Sequence, residues 1–354
     1  MTTEQKLKQF INKIIPVSNE FSEAIQNHLD NLTKPLGSLG ILEDSVKKLG
    51  AIQQTDSPRI AKMRVYTFAG DHGIAQESVS AYPASVTPQM VLNFLHGGAA
   101  ISVLAGQFNV EMKVVDVGVN YDFGELPSLI QQKVANGTKN FLQEPAMTRE
   151  QALQSLFVGI ELARKAKEEQ VNLLIAGEMG IGNTTSSSAI TSILCHKSIE
   201  EVTGIGTGVS HEGLKHKIRI LNQALERRDS DRNDPLDVLA QVGGFELGAI
   251  AGLALGCAHY KIALVSDGFI STTGVALGHS FSPIVKDILF PVECTSEIGN
   301  KHLLNLLNLP AVLSLDVRLG EGTGAILFIP MLEAALNLYH NMATFKSAGV
   351  DNHE

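Results

Sequence analysis

The chain is predicted to fold as an α/β protein: a Rossmann-like parallel sheet covered by helices, with a smaller helical domain built from the N- and C-terminal segments. Two observations carry the sheet. Short, continuously apolar runs at 64–69, 113–117, 171–176, 262–266 and 312–315 alternate with stretches of helical periodicity, the pattern of strands buried on both faces. Four of these runs lead into an acid beside glycine, namely Asp71, Glu178, Asp267 and Glu321, as expected where the carboxyl ends of strands open on a ligand crevice. A third observation, helical pattern at both ends of the chain, divides it into a small helical domain (1–58 with 331–354) and a large catalytic α/β domain (59–330).

In order, residues 4–30 read as an amphipathic helix, with Leu7, Phe10, Ile11, Ile14 and Ile15 at helical spacing. Lys34-Pro35-Leu36-Gly37-Ser38-Leu39-Gly40 breaks the pattern and makes an ordered loop before a helix at 42–52, and 55–58 is a linker. The first strand, 64–69, ends in Gly70-Asp71-His72-Gly73. Residues 86–104 read as a helix interrupted by Gly97-Gly98, which permits close packing at a modest cost in helix stability. The second strand, 113–117, carries Asp116 near its end. Thr148-Arg149-Glu150-Gln151 has capping-box spacing and opens a long helix to about Glu168.

The third strand, 171–176, runs into Gly177-Glu178-Met179-Gly180-Ile181-Gly182-Asn183-Thr184-Thr185. Gly204-Ile205-Gly206-Thr207-Gly208 then precedes a basic amphipathic helix bearing Lys215, Lys217 and Arg219. The strand at 262–266 leads to Asp267-Gly268, and 312–315 is the last strand. Residues 331–345 close the chain as an apolar helix.

Composition narrows the function. A chain of 354 residues, 44% hydrophobic and 18% charged, buries a large core of about two domains. A net charge of -9 without a Lys/Arg cluster argues against a nucleic-acid surface, and the lack of Trp argues against a base-stacking platform. Cys195, Cys257 and Cys294 form neither a disulfide framework nor a C-x-x-C site; they read as core residues in a reducing compartment. Residues 1–13 lack the h-region and cleavage site of a signal peptide, so a cytoplasmic location is expected. Apolar runs such as 249–258 are too short and too rich in Gly to span a bilayer, so no membrane partner is expected.

Among candidate sites, Arg318-Leu319-Gly320-Glu321-Gly322-Thr323-Gly324-Ala325 stands first. Glycines at this spacing let the backbone turn sharply and approach a ligand, which presents Glu321 for chemistry. Taken alone, Gly-x-Gly is an ordinary strand-to-helix turn; the recurrence of acids among glycines at other strand ends favours a site. Asp71-His72 has no further His or carboxylate at ligand spacing and reads as a structural turn rather than a metal pair. The 177–185 loop is Gly-x-x-Gly-x-Gly and lacks a P-loop Lys, so it points to phosphate or ribose contact through backbone N–H groups rather than to a dinucleotide. Lys217, by its neighbours in sequence, is a solvated helix charge. Residues 265–274 approach the loop that holds a magnesium-bound diphosphate in ordinary phosphoribosyltransferases. With one acid, Asp267, instead of two adjacent ones, that substrate is disfavoured and a sugar phosphate stays open.

Seven motifs together carry a resemblance covering nearly the whole chain: Lys34 to Gly40, Asp71-His72-Gly73, Val86-Thr87 through Asn93, Gly177 to Thr185, Val242-Gly243-Gly244-Phe245-Glu246, Asp267-Gly268-Phe269, and Arg318 to Gly324. In this order they resemble the nicotinate-nucleotide:dimethylbenzimidazole phosphoribosyltransferase family of cobalamin lower-ligand assembly. The resemblance implies transfer of 5-phosphoribosyl from nicotinate mononucleotide to 5,6-dimethylbenzimidazole, giving alpha-ribazole 5'-phosphate and nicotinate, without a cofactor or metal. It implies a homodimer in which the loop of residues 34–40 reaches a neighbouring subunit's cleft.

The resemblance makes Glu321 the base and gives Glu178 a second catalytic role, at the ribose hydroxyls or the charge developing at C1'. The nucleotide is expected on Gly177, Gly180, Gly182, Asn183, Thr184, Gly204, Gly206, Asp267, Gly268, Gly320 and Gly322, with Lys217 and Arg318 as cations for its phosphate. Tyr82, Pro83, Met90 and Leu319 are the expected walls of an apolar slot for the benzimidazole. Tyr82 and Met90 stand where some members carry polar Ser and Gln, which widens the choice of base to adenine or a phenol. Two other classes are carried alongside: a metal-dependent phosphohydrolase using Asp71, His72 and Asp267, and a non-catalytic nucleotide-binding regulator on the same fold.

Overall fold

The computed structural model describes residues 1–206, 208–228, 230–294 and 297–352; Thr207 of the glycine-rich 204–208 run and the side chain of Cys294 lie outside the described residues. Seven strands form one sheet: β1 Met63–Gly70, β2 Glu111–Gly118, β3 Leu129–Gln131, β4 Leu173–Met179, β5 Ala263–Asp267, β6 Leu289–Cys294 and β7 Leu313–Leu315. Their order is β3-β2-β1-β4-β5-β6-β7, and every pair is parallel. The direction of winding reverses between β1 and β4, and in such sheets the crevice beyond the carboxyl ends near the reversal is where ligands sit. β1 and β5 are buried at every position, which their unbroken apolar runs anticipated.

β3 and β6 were not anticipated. β3 is a three-residue edge strand, and β6 contains Pro291, which removes a ladder donor and ordinarily argues against an interior strand. Pro291 still accepts the Val312 N–H at 2.8 Å through its carbonyl.

Three expected elements are corrected. The single helix at 4–30 is two, Thr3–Ile11 and Ser22–Asn31, separated by the segment containing Pro16, which cannot continue a helix. The helix at 86–104 is broken into Val86–Leu95 and Ala100–Gln107, because Gly97 turns to φ +78°. Residues 86–107 have the length and apolarity to cross a bilayer, but in this break Val91, Phe94 and Ile101 turn into the protein core. Third, β4 extends through Gly177, Glu178 and Met179, so the loop after it is only Gly180-Ile181-Gly182 before helix Asn183–Cys195.

The capping box at Thr148 is formed. Thr148 Oγ1 accepts the Gln151 N–H at 3.2 Å and Gln151 Oε1 accepts the Thr148 N–H at 3.0 Å, opening helix Arg149–Glu168. This helix packs on Phe245–Tyr260, apolar but for Glu246 and His259, through glycines: a Cβ at Gly159 or Gly252 would lie 1.9 Å from a carbonyl oxygen of the opposite helix. The two ends of the chain meet. Thr33 N–H donates to Ala343 O at 3.0 Å, Leu32 bridges to Thr344, and Tyr339 donates its hydroxyl to Asp56 O at 2.7 Å.

Candidate active site

The carboxyl ends of β4 and β5 and the turn after β7 form an open cleft. Glu178, Gly180, Asn183, Thr184, Gly206, Asp267, Gly268, Arg318, Leu319, Gly320 and Glu321 line it, together with Met179, Ile181, Phe269, Ile270, Glu297 and Val317. Gly177, Gly182, Gly204, Gly322 and Lys217 lie behind this lining.

The turn is held in an unusual conformation. Gly320, Glu321 and Gly322 all have positive φ, at 82°, 66° and 99°. For glycine this is free, whereas for Glu321 the left-handed region costs on the order of 1 kcal/mol and persists only where surroundings impose it. Asp267 imposes it from below: its carboxylate accepts the Gly322 N–H at 2.8 Å and the Ala325 N–H at 3.1 Å. Thr67 at the heart of β1 donates to the Glu321 carbonyl at 3.3 Å.

Glu178 is buried at the end of β4, where Asn183 Nδ2 donates to its Oε2 at 2.5 Å and the Glu321 N–H lies 3.4 Å from its Oε1. Burial, then the nearby Asp267 and Glu246 carboxylates, push its pKa up to about 8. Glu321 is also buried, and desolvation followed by repulsion from Asp267 pushes it up to about 7. Its Oε2 has no hydrogen-bond partner among the described residues. A carboxyl group in this range exchanges protons near neutrality, which is the requirement for a general base or acid.

Behind Thr184 and Gly206 of the lining stands Lys217. The solvated charge expected there is corrected: Lys217 is fully buried, because the face of helix His211–Arg227 that bears it packs inward with Ile220 and Leu221. Its Nζ donates to Thr184 Oγ1 at 2.9 Å, and desolvation lowers its pKa to about 8. Arg318 is exposed at the rim.

Not every expected residue comes into the cleft. Tyr82 and Pro83 lie on an exposed loop, and Met90 is turned against the protein core. Thr87 of that region reaches the site loop, accepting the Ile181 N–H at 3.1 Å. Asp71 is buried outside the lining that holds Glu178, Asp267, Glu297 and Glu321, its Oδ2 accepting the Asn120 N–H at 2.8 Å. His72 is occupied at both ring nitrogens, by Ser186 Oγ at 2.9 Å and Glu246 Oε1 at 2.7 Å. The phosphohydrolase reading, which needs Asp71, His72 and Asp267 free for a metal, is therefore corrected: two are engaged in structural hydrogen bonds, and Asp267 holds the 322–325 backbone. Among the described residues no group of three or more His, Cys, Asp or Glu is placed to hold a metal.

Glu297 was missed. It carries no motif, and the signal that would have found it, an acid just beyond the carboxyl end of a strand, depends on recognising β6.

A family model described as phosphoribosyltransferase matches residues 14–350. A nicotinate-nucleotide:dimethylbenzimidazole phosphoribosyltransferase of Geobacter sulfurreducens is 47% identical over 344 residues, covering 97% of this chain and 98% of the relative. One of Geotalea uraniireducens is 49% identical over the same length, covering 97% and 98%. The crystal structure of CobT from Thermus thermophilus superposes with a TM-score of 0.89 at 44% identity, covering 94% of this chain and 100% of that one.

Proposed function

The chain belongs to the nicotinate-nucleotide:dimethylbenzimidazole phosphoribosyltransferase family, and from that premise we propose that Glu321 is the base of its reaction. The enzyme transfers the 5-phosphoribosyl group of nicotinate mononucleotide to 5,6-dimethylbenzimidazole, giving alpha-ribazole 5'-phosphate and nicotinate in cobalamin lower-ligand synthesis. One benzimidazole nitrogen attacks C1' as the bond from C1' to the pyridinium nitrogen breaks, and that bond's electron pair neutralises the departing ring. The other nitrogen's proton passes to Glu321. Attack opposite the leaving group turns a beta-glycoside into an alpha-glycoside.

The observation that supports this reading best is the unpartnered, buried Oε2 of Glu321 on a carboxyl group with a pKa of about 7 in the cleft beyond the strand ends. The attacking benzimidazole becomes strongly acidic as its nitrogen takes on charge, so a base of this strength suffices. Because a pyridinium leaves as a neutral ring, no Lewis acid is needed to carry it away. Glu178, with a pKa of about 8, is mostly protonated at pH 7, which suits hydrogen bonding to a ribose hydroxyl.

We propose further that the phosphate rests on the main chain of 180–184 and 204–206 with Lys217 and Arg318 as its cations. The base would lie against Leu319 and its apolar neighbours Ile181 and Val317. We place the enzyme in the cytoplasm as a homodimer; the free thiols of Cys195 and Cys257 suit a reducing compartment, and the exposure of Leu36, Tyr82 and Leu319 suits a covering partner. The meeting of the chain ends supports 1–58 with 331–354 as the small domain and 59–330 as the large one.

Incubation with nicotinate mononucleotide and dimethylbenzimidazole, with and without EDTA, tests the activity. Nicotinate and alpha-ribazole 5'-phosphate should appear in equal amounts in both. Phosphate release abolished by EDTA would support the hydrolase reading instead, and binding without nicotinate release would support a regulator.

A further inference from the structure

The 204–206 loop is gripped between opposite charges. On one side Glu297 Oε1 accepts the Gly206 N–H at 2.7 Å, and a Cβ at Gly204 would stand 2.3 Å from Glu297 Oε2. The carboxylate is therefore seated directly against backbone that only glycine leaves open. On the other side a Cβ at Gly206, where φ is +55°, would lie 2.9 Å from Thr184 Oγ1 and 3.2 Å from Lys217 Nζ. Glu297 Oε2 is buried without a hydrogen-bond partner, and no carboxylate lies within 4.0 Å of Lys217 Nζ among the described residues. The ammonium and the carboxylate attract each other across one small loop without touching, so the Gly206 N–H between them is a place where a second anion can exchange with Glu297.

Resting on the phosphate seat proposed above, we infer that Glu297 is a resident anion that competes with the nucleotide's phosphate for the Gly206 N–H and sets the affinity for phosphorylated donors. A carboxylate and a phosphate are both acceptor-only anions suited to backbone N–H groups. Glu297 keeps the loop formed, and the phosphate takes over the N–H while also facing Lys217. Binding is then an exchange rather than an addition, which weakens the hold on both the phosphorylated substrate and the phosphorylated product. A nucleoside without phosphate does not enter the exchange.

The test is equilibrium binding of nicotinate mononucleotide and of nicotinate riboside to the wild type, Glu297→Gln and Glu297→Ala. Losing one competing charge-assisted hydrogen bond, with a net worth of about 1.4 kcal/mol, should tighten the mononucleotide about tenfold and leave the riboside within about twofold. Weaker mononucleotide binding in the variants would overturn the exchange and make Glu297 a direct ligand. If the wild type binds the mononucleotide no better than the riboside, the phosphate seat itself has failed and the exchange falls with it. A crystal of the wild type soaked in inorganic phosphate gives a result independent of the variants' folding. Phosphate on the Gly206 N–H with Glu297 displaced is expected; phosphate elsewhere with the Glu297–Gly206 bond intact would refute the exchange.

Discussion

Gly177 and Glu321 meet main chain to main chain: a Cβ on residue 177 would stand 2.2 Å from the Glu321 carbonyl oxygen and 3.0 Å from Thr67 Oγ1. The strained turn carrying Glu321 thus lies directly on the end of β4, and no side chain fits between them. Gly177→Ala should push the turn outward. Displacement of a reacting group by about 1 Å costs roughly 100-fold in rate, whereas overpacking costs about 1–3 kcal/mol in stability. Turnover should therefore collapse in a variant that still unfolds cooperatively, and near-normal turnover would show that the turn is not positioned by this contact.

Glu321→Gln keeps the shape and removes the proton acceptor. Loss of a general base costs typically 10²–10⁴-fold, so kcat should fall by about that much while the Kd for nicotinate mononucleotide moves only a few-fold. In the wild type the base works only when ionised, so kcat should rise with pH through about 7, where burial and Asp267 place the Glu321 carboxyl. A flat profile between pH 6 and 8, or full turnover in the variant, would remove Glu321 from this role.

The sheet and the placing of Glu178 and Glu321 at strand ends in one cleft were legible because they rest on local patterns. Buried parallel strands are apolar without interruption, and glycines beside an acid mark a turn that approaches a ligand. The rest depended on tertiary context. Lys217 shares its helix with the exposed Lys215 and Arg219, and only packing against the 180–206 region turns that one lysine inward. Pro291 concealed β6, and with it Glu297. Periodicity continued across Pro16 and across Gly97-Gly98, so two breaks were read through. Tyr82, Pro83 and Met90 were placed in the cleft by family resemblance, and their own sequence holds no signal of which way the 80–85 loop faces.

Glu178 makes the protein's stability depend on pH in an unusual direction. Its folded pKa, about 8, is raised from an ordinary value of 4.5. A carboxyl group raised in this way stabilises the fold fully below about 4.5 and loses that contribution as pH rises toward 8, because the unfolded chain gives up the proton first. Glu321 acts in the same sense. The Tm of the enzyme without ligand should fall between pH 5 and pH 8, and Glu178→Gln should flatten that slope. An identical slope in the variant would mean that Glu178 is ionised in the fold throughout.

Lys217 should trade stability for binding. Its ammonium is fully buried, has Thr184 Oγ1 at 2.9 Å, and has its pKa lowered to about 8 by desolvation, which the attraction of Glu297 across the 204–206 loop offsets only in part. Removing the ammonium recovers its desolvation cost, the larger influence on Lys217, whereas a bound phosphate would lose a charge-assisted contact worth about 2 kcal/mol. Lys217→Met should therefore hold or raise the Tm measured without ligand and weaken nicotinate mononucleotide about 30-fold. It should leave nicotinate riboside nearly unaffected, since that donor brings no phosphate to the ammonium. Lys217→Arg would not restore the wild-type affinity, because a planar guanidinium does not fit a seat shaped around one ammonium beside Gly206. A variant that loses stability while binding the mononucleotide normally would make Lys217 a structural residue and leave the phosphate to Arg318 and the loop backbone.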